Sequence, residues 1–212
     1  MIQALLFDLD NTLYSESTGL ELLVVHRMNR FVADMFGVSM EEAARMRREQ
    51  ARPYGTTLEW LMKAQGLSDP ERYFRFIHPE GEEDCLDEDR ELAQMLESIP
   101  LPKAILTNAP IEHADRILAK LGVTHCFQAV FDIKSNGLTG KPHRESYERA
   151  LRACGFQIDT TLFIDDYPRY VQGYVDLGGP AVLKDEMDRF VSLPYRRIRT
   201  IHELPELLAT LM

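Results

Sequence analysis

Two carboxylates, separated by a single residue, follow a short apolar run near the start of the sequence. The run comprises residues 4–7, and the acids are Asp8 and Asp10. Such a run predicts a strand buried on both faces inside a parallel sheet. A carboxylate at the end of a buried strand is costly unless its charge is compensated. Because ligands of open α/β sheets bind at the carboxyl ends of the strands, the pair indicates a divalent metal ion and chemistry on an anionic group. The alternative is a solvated turn, in which Asp and Asn are common.

Three later segments place further polar side chains where predicted strands stop. They are Thr107 with Asn108, Lys141 within Gly-Lys-Pro-His, and Asp165 with Asp166. Because parallel strands of one sheet bring their carboxyl ends together, we expect these groups to lie near the first acid pair. Acids for a metal, a hydroxyl donor and a lysine together match the needs of phosphoryl transfer, which are positioning and neutralisation of charge on the transferred group.

Each of these later residues also has an ordinary structural explanation. Thr107 could cap the helix that follows it, Lys141 could be a solvated loop lysine, and the second acid pair could form a turn. The joint pattern is far less expected by chance than any one of its members. It therefore favours a site over three unrelated loops.

The stretch from residue 15 to residue 86 carries apolar side chains at helical spacing, punctuated by helix caps. Helices are predicted over residues 20–36, from Ser39 to about Ala51, from Thr56 or Thr57 through Met62, and from Asp69 through Phe76. Gly37 is placed to end the first of them, and Pro70 to begin the last. This segment predicts an all-helical insert after the first strand.

From residue 87 onward the sequence alternates between helix and strand. Helices are predicted from Asp87 to 98, over 111–121 and 143–154 and up to Leu177, and strands over 104–106, 129–131, 162–164, 181–183 and around Ile198 and Ile201. Alternation of this kind predicts an α/β fold with a doubly wound, mostly parallel sheet. The expected organisation is a Rossmann-like core over residues 1–14 and 87–212, with a helical insert over residues 15–86.

Composition limits the classes of partner. The 212 residues carry a formal net charge of −10, which disfavours nucleic acid polymers and anionic membranes but not a small phosphate ester brought in by a bound cation. Cys85, Cys126 and Cys154 are widely spaced and predict no disulfide framework. No secretory signal and no apolar run of membrane-spanning length is visible, so we expect a cytoplasmic protein.

The chain resembles the haloacid dehalogenase (HAD) superfamily in four motifs, which are Asp8-Leu-Asp-Asn-Thr, Thr107, Lys141 and Asp165-Asp166. A finer resemblance, to the pyrimidine 5′-nucleotidase subfamily, involves residues 7–14, Tyr54-Gly-Thr-Thr-Leu, Thr107-Asn108, His113 and Asp165-Asp166. The superfamily resemblance covers essentially the whole chain. The Tyr-Gly-Thr-Thr stretch lies in the helical insert and therefore bears on the substrate rather than on the chemistry.

The resemblance implies a role for each residue of the core motifs. Asp8 would attack phosphorus and form an aspartyl-phosphate. Asp10 would protonate the leaving oxygen and then deprotonate the water that cleaves the intermediate. Thr107 and Lys141 would bind the phosphoryl oxygens and offset their developing charge.

Mg²⁺ is the cofactor that the resemblance implies. It would be held by the Asp8 carboxylate, the Asp10 backbone carbonyl and Asp166, with waters completing an octahedron. Asp165 would contact the ion through a water molecule or would hold one of its ligands in place. Because the two acids are adjacent, the sequence leaves open which of them binds the ion directly.

The resemblance also implies that the insert is a cap that closes over the core, excludes water and contacts the leaving group. The predicted substrate-binding residues are Asn108, Tyr54, Thr56, Thr57 and Trp60, with His26 and Arg27 as further candidates. For the aromatic residues, packing between the helices of the insert is the alternative.

Some neighbouring residues are expected to have no direct part in the chemistry. His113 is expected to cap or pack near the start of its helix. Arg45, Arg47 and Arg48 are expected to form a solvated helix face. Tyr167 replaces the small residue expected after the second acid pair, and it could narrow the mouth of the site.

The predicted function is Mg²⁺-dependent hydrolysis of a phosphomonoester, with a pyrimidine nucleoside 5′-monophosphate as the expected substrate. Alternatives are a phosphatase of phosphoglycolate or a sugar phosphate, a phosphomutase, and a non-catalytic protein that binds a phosphorylated ligand on the same scaffold. Dehalogenation is disfavoured because hydrolysis of a carbon–halogen bond needs neither Asp10 nor a metal. A non-catalytic scaffold would be favoured if one of the acids were missing, and none is.

Overall fold

The computed structural model describes residues 1–211 and has a central sheet with helices on both faces. The strands are β1 (Ala4–Phe7), β2 (Lys103–Leu106), β3 (Ala129–Phe131), β4 (Thr161–Asp165), β5 (Ala181–Lys184) and β6 (Arg196–Ile198). Every pairing between them is parallel, in the spatial order β3-β2-β1-β4-β5-β6. The predicted α/β fold class is confirmed.

The strand order places the chain's first acid pair at the centre of the sheet. β1 is buried along its whole length and pairs with β2 on one side and β4 on the other. The chain builds outward from β1 to β3 and then crosses back to β4, so the strand order reverses between β1 and β4. Ligands of doubly wound sheets bind in the crevice outside the carboxyl ends of the strands at this reversal.

Alternation along the strands divides the core between the two faces of the sheet. Leu5 and Phe7 contribute to an apolar cluster on one face, while Leu6 contributes to the cluster on the other. This follows from the two-residue period of side chains along a strand. The helices that cover the sheet are α5 (Arg90–Ser98), α6 (Ile111–Leu121), α7 (Arg144–Cys154), α8 (Pro168–Val175) and α9 (Leu204–Ala209).

The segment between β1 and α5 is helical, as predicted, and has an apolar cluster of its own. It contains α1 (Leu20–Phe36), α2 (Met40–Gln50), α3 (Thr57–Gln65) and α4 (Pro70–Ile77). Side chains of Ser39, Thr56 and Asp69 accept hydrogen bonds at the starts of α2, α3 and α4, and glycines end α1 and α3. Ile133 and Leu138, from the loop after β3, pack against this cluster.

Three details of the predicted elements are wrong. Asp89, not Asp87, caps α5, since its side chain accepts a hydrogen bond from the Leu92 amide. Ile201 lies in a short 3₁₀ helix rather than in the last strand. Lys141 lies in the long loop between β3 and α7 rather than at the end of a strand. Among residues 1–211, no helix has the combination of length and hydrophobicity needed to cross a bilayer.

Candidate active site

A buried lysine bridges two carboxylates at the carboxyl ends of β1 and β4. The Nζ atom of Lys141 lies 2.5 Å from Asp8 Oδ1 and 2.6 Å from Asp165 Oδ2. The lysine is 0% exposed, and its ammonium also lies over the rings of Phe163 and Tyr170. Burial alone would lower the pKa of Lys141, but the two carboxylates outweigh it and raise that pKa. The lysine is therefore held as a fixed cation beside Asp8.

The loop that carries Lys141 is fastened by Asn108. The Asn108 side chain accepts a hydrogen bond from the Lys141 amide at 2.7 Å and donates one to the Lys141 carbonyl at 3.0 Å. Glu59, from α3, accepts a hydrogen bond from the Gly140 amide at 3.2 Å. A side chain at position 140 would collide with Asn108, so only glycine allows this close approach. Asn108 also lines the cavity, so its predicted contact with substrate stays a prediction beside this positioning role.

Three carboxylates come close enough together to share one cation. Asp8, Asp165 and Asp166 each offer an oxygen, and these oxygens all lie within 4.8 Å of one another. Burial raises the pKa of Asp8 to about 7 although Lys141 opposes it, and burial also raises the pKa of Asp165 and of Asp166. The charges of Asp165 and Asp8 add to the rise at Asp166. Such a set of hard oxygen donors fits a divalent cation such as Mg²⁺, which would compensate this mutual repulsion.

The two adjacent acids differ in their hydrogen bonds. Asp165 accepts from Lys141 through Oδ2 and from the Tyr167 amide through Oδ1, at 2.8 Å. Across residues 1–211, no donor is hydrogen-bonded to the Asp166 carboxylate, which lines the cavity. Asp166 is thus the acid of the pair whose oxygens are available.

Thr107 lies at the end of β2, beside β1. Its amide donates a hydrogen bond to the Phe131 carbonyl of β3, and its hydroxyl accepts one from the Ala109 amide at 3.0 Å. A hydroxyl that accepts through its oxygen keeps its own proton to donate. Thr107 lines the same cavity as Asp8 and Asp10, so the structure brings these three predicted residues together.

His113 is buried near the start of α6, as predicted, and it also contacts Asp10 directly. Its Nε2 lies 2.7 Å from Asp10 Oδ1, which also accepts the Tyr14 hydroxyl at 2.7 Å. Burial alone would raise the pKa of Asp10, but His113 and Tyr14 outweigh it and hold that pKa below its ordinary value. Both contacts use Oδ1, which leaves Oδ2 of Asp10 for proton transfer.

The other nitrogen of the His113 ring contacts a second buried carboxylate, Glu82, which no local sequence pattern indicates. Glu82 Oε1 lies 2.6 Å from His113 Nδ1 and accepts from Arg116 at 3.0 Å, and Oε2 accepts from Arg27 at 2.8 Å. Burial opposes protonation of His113, but the flanking carboxylates of Asp10 and Glu82 raise its pKa to about 10. His113 is therefore an imidazolium whose two N–H groups fix its orientation. Arg27, a candidate substrate contact, is instead occupied by Glu82.

A cavity of about 1100 Å³ extends from these acids to the helical segment. Thr56 and Thr57 line it, as predicted. Trp60 does not: it is 1% exposed and stacks on Phe36 in the core of the helical segment, so its prediction as a substrate contact is corrected. Tyr54 also lies outside the cavity lining, where its carbonyl accepts a hydrogen bond from His143 Nε2 at 2.8 Å.

Further cavity residues were not predicted to face a ligand. Arg45 and Arg48 are exposed, as a solvated face requires, and Arg45 forms ion pairs with Glu42 and Glu49. Arg47 is half-buried at the cavity, which corrects its assignment, and Arg48 also reaches the cavity lining. Glu21 also lines the cavity, and burial together with Asp10 and Asp8 raises its pKa to about 8. His26 is exposed, whereas the ring of Tyr167 lies at the cavity and packs against Tyr170.

A sequence model of the haloacid dehalogenase-like hydrolases matches residues 2–173, a range that contains all the acids described above and Lys141. Phosphate metabolism protein 8 of Saccharomyces cerevisiae is 27% identical over 187 residues, which are 81% of this chain and 58% of that protein. This chain thus spans little more than half the length of the yeast relative. Glyceraldehyde 3-phosphate phosphatase of Methanocaldococcus jannaschii is 25% identical over 184 residues, covering 78% of this chain and 77% of that protein.

The fold is also similar to a solved structure that holds a metal ion. The putative HAD-hydrolase YfnB from Bacillus subtilis, in a form bound to magnesium, superimposes with a TM-score of 0.69. The similarity covers 98% of this chain and 99% of that one, at 18% sequence identity. At this level of identity the similarity establishes a shared fold.

Proposed function

Because this chain belongs to the haloacid dehalogenase-like hydrolases, we propose that it is a Mg²⁺-dependent phosphomonoesterase that works through an aspartyl-phosphate on Asp8. The observation that carries the proposal is the buried bridge from Lys141 to Asp8 and Asp165, with Asp166 beside it. A nucleophilic carboxylate next to a fixed cation is what attack on a phosphate dianion requires, because the cation offsets the repulsion between two anions.

In the first step, an Asp8 carboxylate oxygen forms a bond to phosphorus while the bond from phosphorus to the leaving oxygen breaks. Asp10 gives a proton to that leaving oxygen, and the alcohol departs. Lys141 and Thr107 hold the oxygens of the transferred group, which carry the developing charge. His113 and Tyr14 orient Asp10 through its other oxygen.

In the second step, water attacks the phosphorus atom of the aspartyl-phosphate. Asp10, now ionised, accepts a proton from this water, and the bond between phosphorus and the Asp8 oxygen breaks. Inorganic phosphate leaves, Asp8 is regenerated as a carboxylate, and Asp10 ends the cycle protonated. One residue thus serves as acid and then as base, through the Oδ2 atom that His113 and Tyr14 do not engage.

We assign Mg²⁺ to Asp8, the Asp10 carbonyl and Asp166. Asp166 is preferred to Asp165 because its carboxylate lines the cavity and accepts no hydrogen bond among residues 1–211. When bound, the ion would neutralise charge on the phosphoryl group and on the carboxylates.

We expect EDTA to abolish turnover and added Mg²⁺ to restore it. Asp166→Asn should raise the Mg²⁺ concentration for half-maximal activity by at least about tenfold. Asp176→Asn, at an exposed position, is the control, and an unchanged Mg²⁺ requirement in Asp166→Asn would contradict the assignment.

We further propose that residues 15–86 act as a cap and that the leaving group is a nucleoside, with a pyrimidine base as the preferred one. A cavity of about 1100 Å³ between the acids and the helical segment supports this size of substrate. Its lining includes Tyr73, Phe74 and Phe190, which offer apolar surface to a base. A cytoplasmic location stays a prediction from the free cysteines.

A second candidate is a small sugar or triose phosphate, which the name of the Methanocaldococcus relative favours. A phosphate-release screen with Mg²⁺ separates the candidates, using UMP, CMP, dUMP, AMP, GMP, phosphoglycolate, glyceraldehyde 3-phosphate and glucose 6-phosphate. We expect the highest kcat/KM with UMP or CMP. A higher value with the triose phosphate would replace the nucleotide proposal, and no phosphate release from any ester would overturn the phosphomonoesterase.

His113→Gln should lower kcat by about 100-fold, because Asp10 loses the charged donor that orients it. The KM of the same substrate should change much less, since His113 does not line the cavity. Tyr14→Phe removes the other donor to the same oxygen and should give a smaller loss, about tenfold. His125→Gln, an exposed histidine paired with Glu97, is the matched control. If His113→Gln and Tyr14→Phe raised KM equally and left kcat unchanged, this positioning role would be contradicted.

A further inference from the structure

The cavity wall carries several arginines. Four line the cavity, and none of them lies within ion-pair distance of a carboxylate in residues 1–211; they are Arg47, Arg48, Arg52 and Arg169. Arg45, two residues from Arg47 on the same helix, instead pairs with Glu42 and Glu49 at 2.6 and 2.8 Å. Arg47 and Arg45 thus differ although they lie on the same helix, since Arg47 faces the cavity and has no ion-pair partner among the described residues.

Arg47 is the most constrained of the four. Its Nε donates to Thr57 Oγ1 at 3.1 Å, and its terminal nitrogens donate to Asn29 Oδ1 at 2.7 Å and Met28 Sδ at 3.2 Å. All three acceptors are neutral, and burial lowers the pKa of Arg47. A guanidinium has five N–H groups, so two remain without an acceptor among the described residues. The charge of Glu21 offsets part of the cost of burying Arg47, but donors without acceptors remain costly unless a ligand supplies the acceptors.

The neighbouring Tyr73 has a second unused polar group. The tyrosine is 2% exposed and lines the same cavity, and its hydroxyl makes no hydrogen bond in the described part of the chain. Tyr73 and Arg47 line the same cavity as Thr57, to which Arg47 donates a hydrogen bond, and burial raises the pKa of the Tyr73 phenol. A buried hydroxyl without a partner costs free energy in the folded protein. At a cavity wall, a bound ligand can supply the missing hydrogen bond.

We propose that Arg47 and the Tyr73 hydroxyl form a binding site for acceptor oxygens of the leaving group. The inference rests on the proposed function, since the phosphoryl group of the substrate must lie at Asp8 in the same cavity. The site offers only donors from Arg47 and one donor from Tyr73, so its ligand must present oxygens that accept. The carbonyl edge of a pyrimidine base and a carboxylate both do so, and a leaving group that presents neither would gain nothing here.

The test uses Tyr73→Phe and Arg47→Met, with Arg45→Met as the matched control on the same helix. The substrates are UMP, which carries base carbonyls, phosphoglycolate, which carries a carboxylate, and phenyl phosphate, which carries neither. The ratio of kcat/KM for the preferred substrate to that for phenyl phosphate should fall by about 2–10-fold in Tyr73→Phe. It should fall by about 10–100-fold in Arg47→Met and stay unchanged in Arg45→Met.

Tyr73→Phe keeps the inference testable if Arg47→Met folds poorly, because removing a hydroxyl without a protein partner breaks no hydrogen bond of the fold. A selective loss on UMP assigns the site to a base carbonyl, and a selective loss on phosphoglycolate assigns it to a carboxylate. Equal losses on all three esters in both variants would overturn the inference and leave the proposed function standing. Failure of the unmodified protein to hydrolyse any of the esters would overturn the proposed function itself.

Discussion

Replacing Asp8 with asparagine should reduce phosphate release by at least about 10⁴-fold, because an amide cannot supply the oxygen that attacks phosphorus. The side chains have nearly the same shape, and position 8 remains beside Lys141. The expected loss therefore lies in kcat, with substrate binding retained. Steady-state kinetics, followed by mass spectrometry of the protein mixed with substrate, measure both consequences. The unmodified protein should show a phosphorylated species after acid quench, and the variant should not.

Asp34→Asn is the matched control for this substitution. Asp34 lies on α1 and forms an exposed ion pair with Arg30, so its replacement should leave kcat unchanged. If Asp8→Asn retained turnover within tenfold of the unmodified protein, another group would have to be the nucleophile. Retention of a phosphorylated species in that variant would lead to the same conclusion.

Lys141→Met should abolish turnover and also destabilise the fold, by about 3–5 kcal/mol. Methionine fills a similar volume but leaves the buried carboxylates of Asp8 and Asp165 without their cation. Urea unfolding in EDTA measures the change without help from Mg²⁺. If the unfolding free energy of the variant matched that of the unmodified protein, the bridge would contribute nothing to the fold.

The destabilisation of Lys141→Met should depend on pH. Burial already holds the folded-state pKa of Asp8 at about 7, above that of an unfolded aspartate, and loss of the lysine removes the group that opposes this rise. A carboxyl that binds its proton more tightly in the folded state lowers stability as the pH rises above its unfolded pKa. The variant should therefore be closer to the unmodified protein at pH 5 than at pH 8.

A second substitution separates the two roles of Lys141. In Lys141→Met, the buried carboxylates of Asp8 and Asp165 have no cation beside them. Adding Asp165→Asn removes one of these two charges and should recover part of the lost stability. Turnover should stay abolished, because the cation beside Asp8 is still missing. Recovery of turnover together with stability would show that the lysine matters only for folding.

The local patterns of the chain predicted most of its elements. The residues of β1 form a continuous apolar run, and the structure buries all of them. Helix 111–121 was predicted with both bounds correct because its end carries a local signal, Gly122 in the left-handed conformation. Asp87 was mistaken for Asp89 because two acids near the start of one helix are equally good caps by type.

The sequence by itself also determined which acids stand at the ends of β1 and β4, since each pair follows an apolar strand directly. Only the tertiary structure decided the partners of these acids. Glu82 and His113 are far apart along the chain, and nothing local to either position indicates that they align on Asp10. For the same reason, Arg47 lines the cavity instead of a solvated face, and Trp60 packs in the core of the helical segment instead of contacting substrate. A sequence pattern records which side of its own helix is apolar, whereas a cavity wall is formed where several elements pack, and that packing depends on residues distant in the chain.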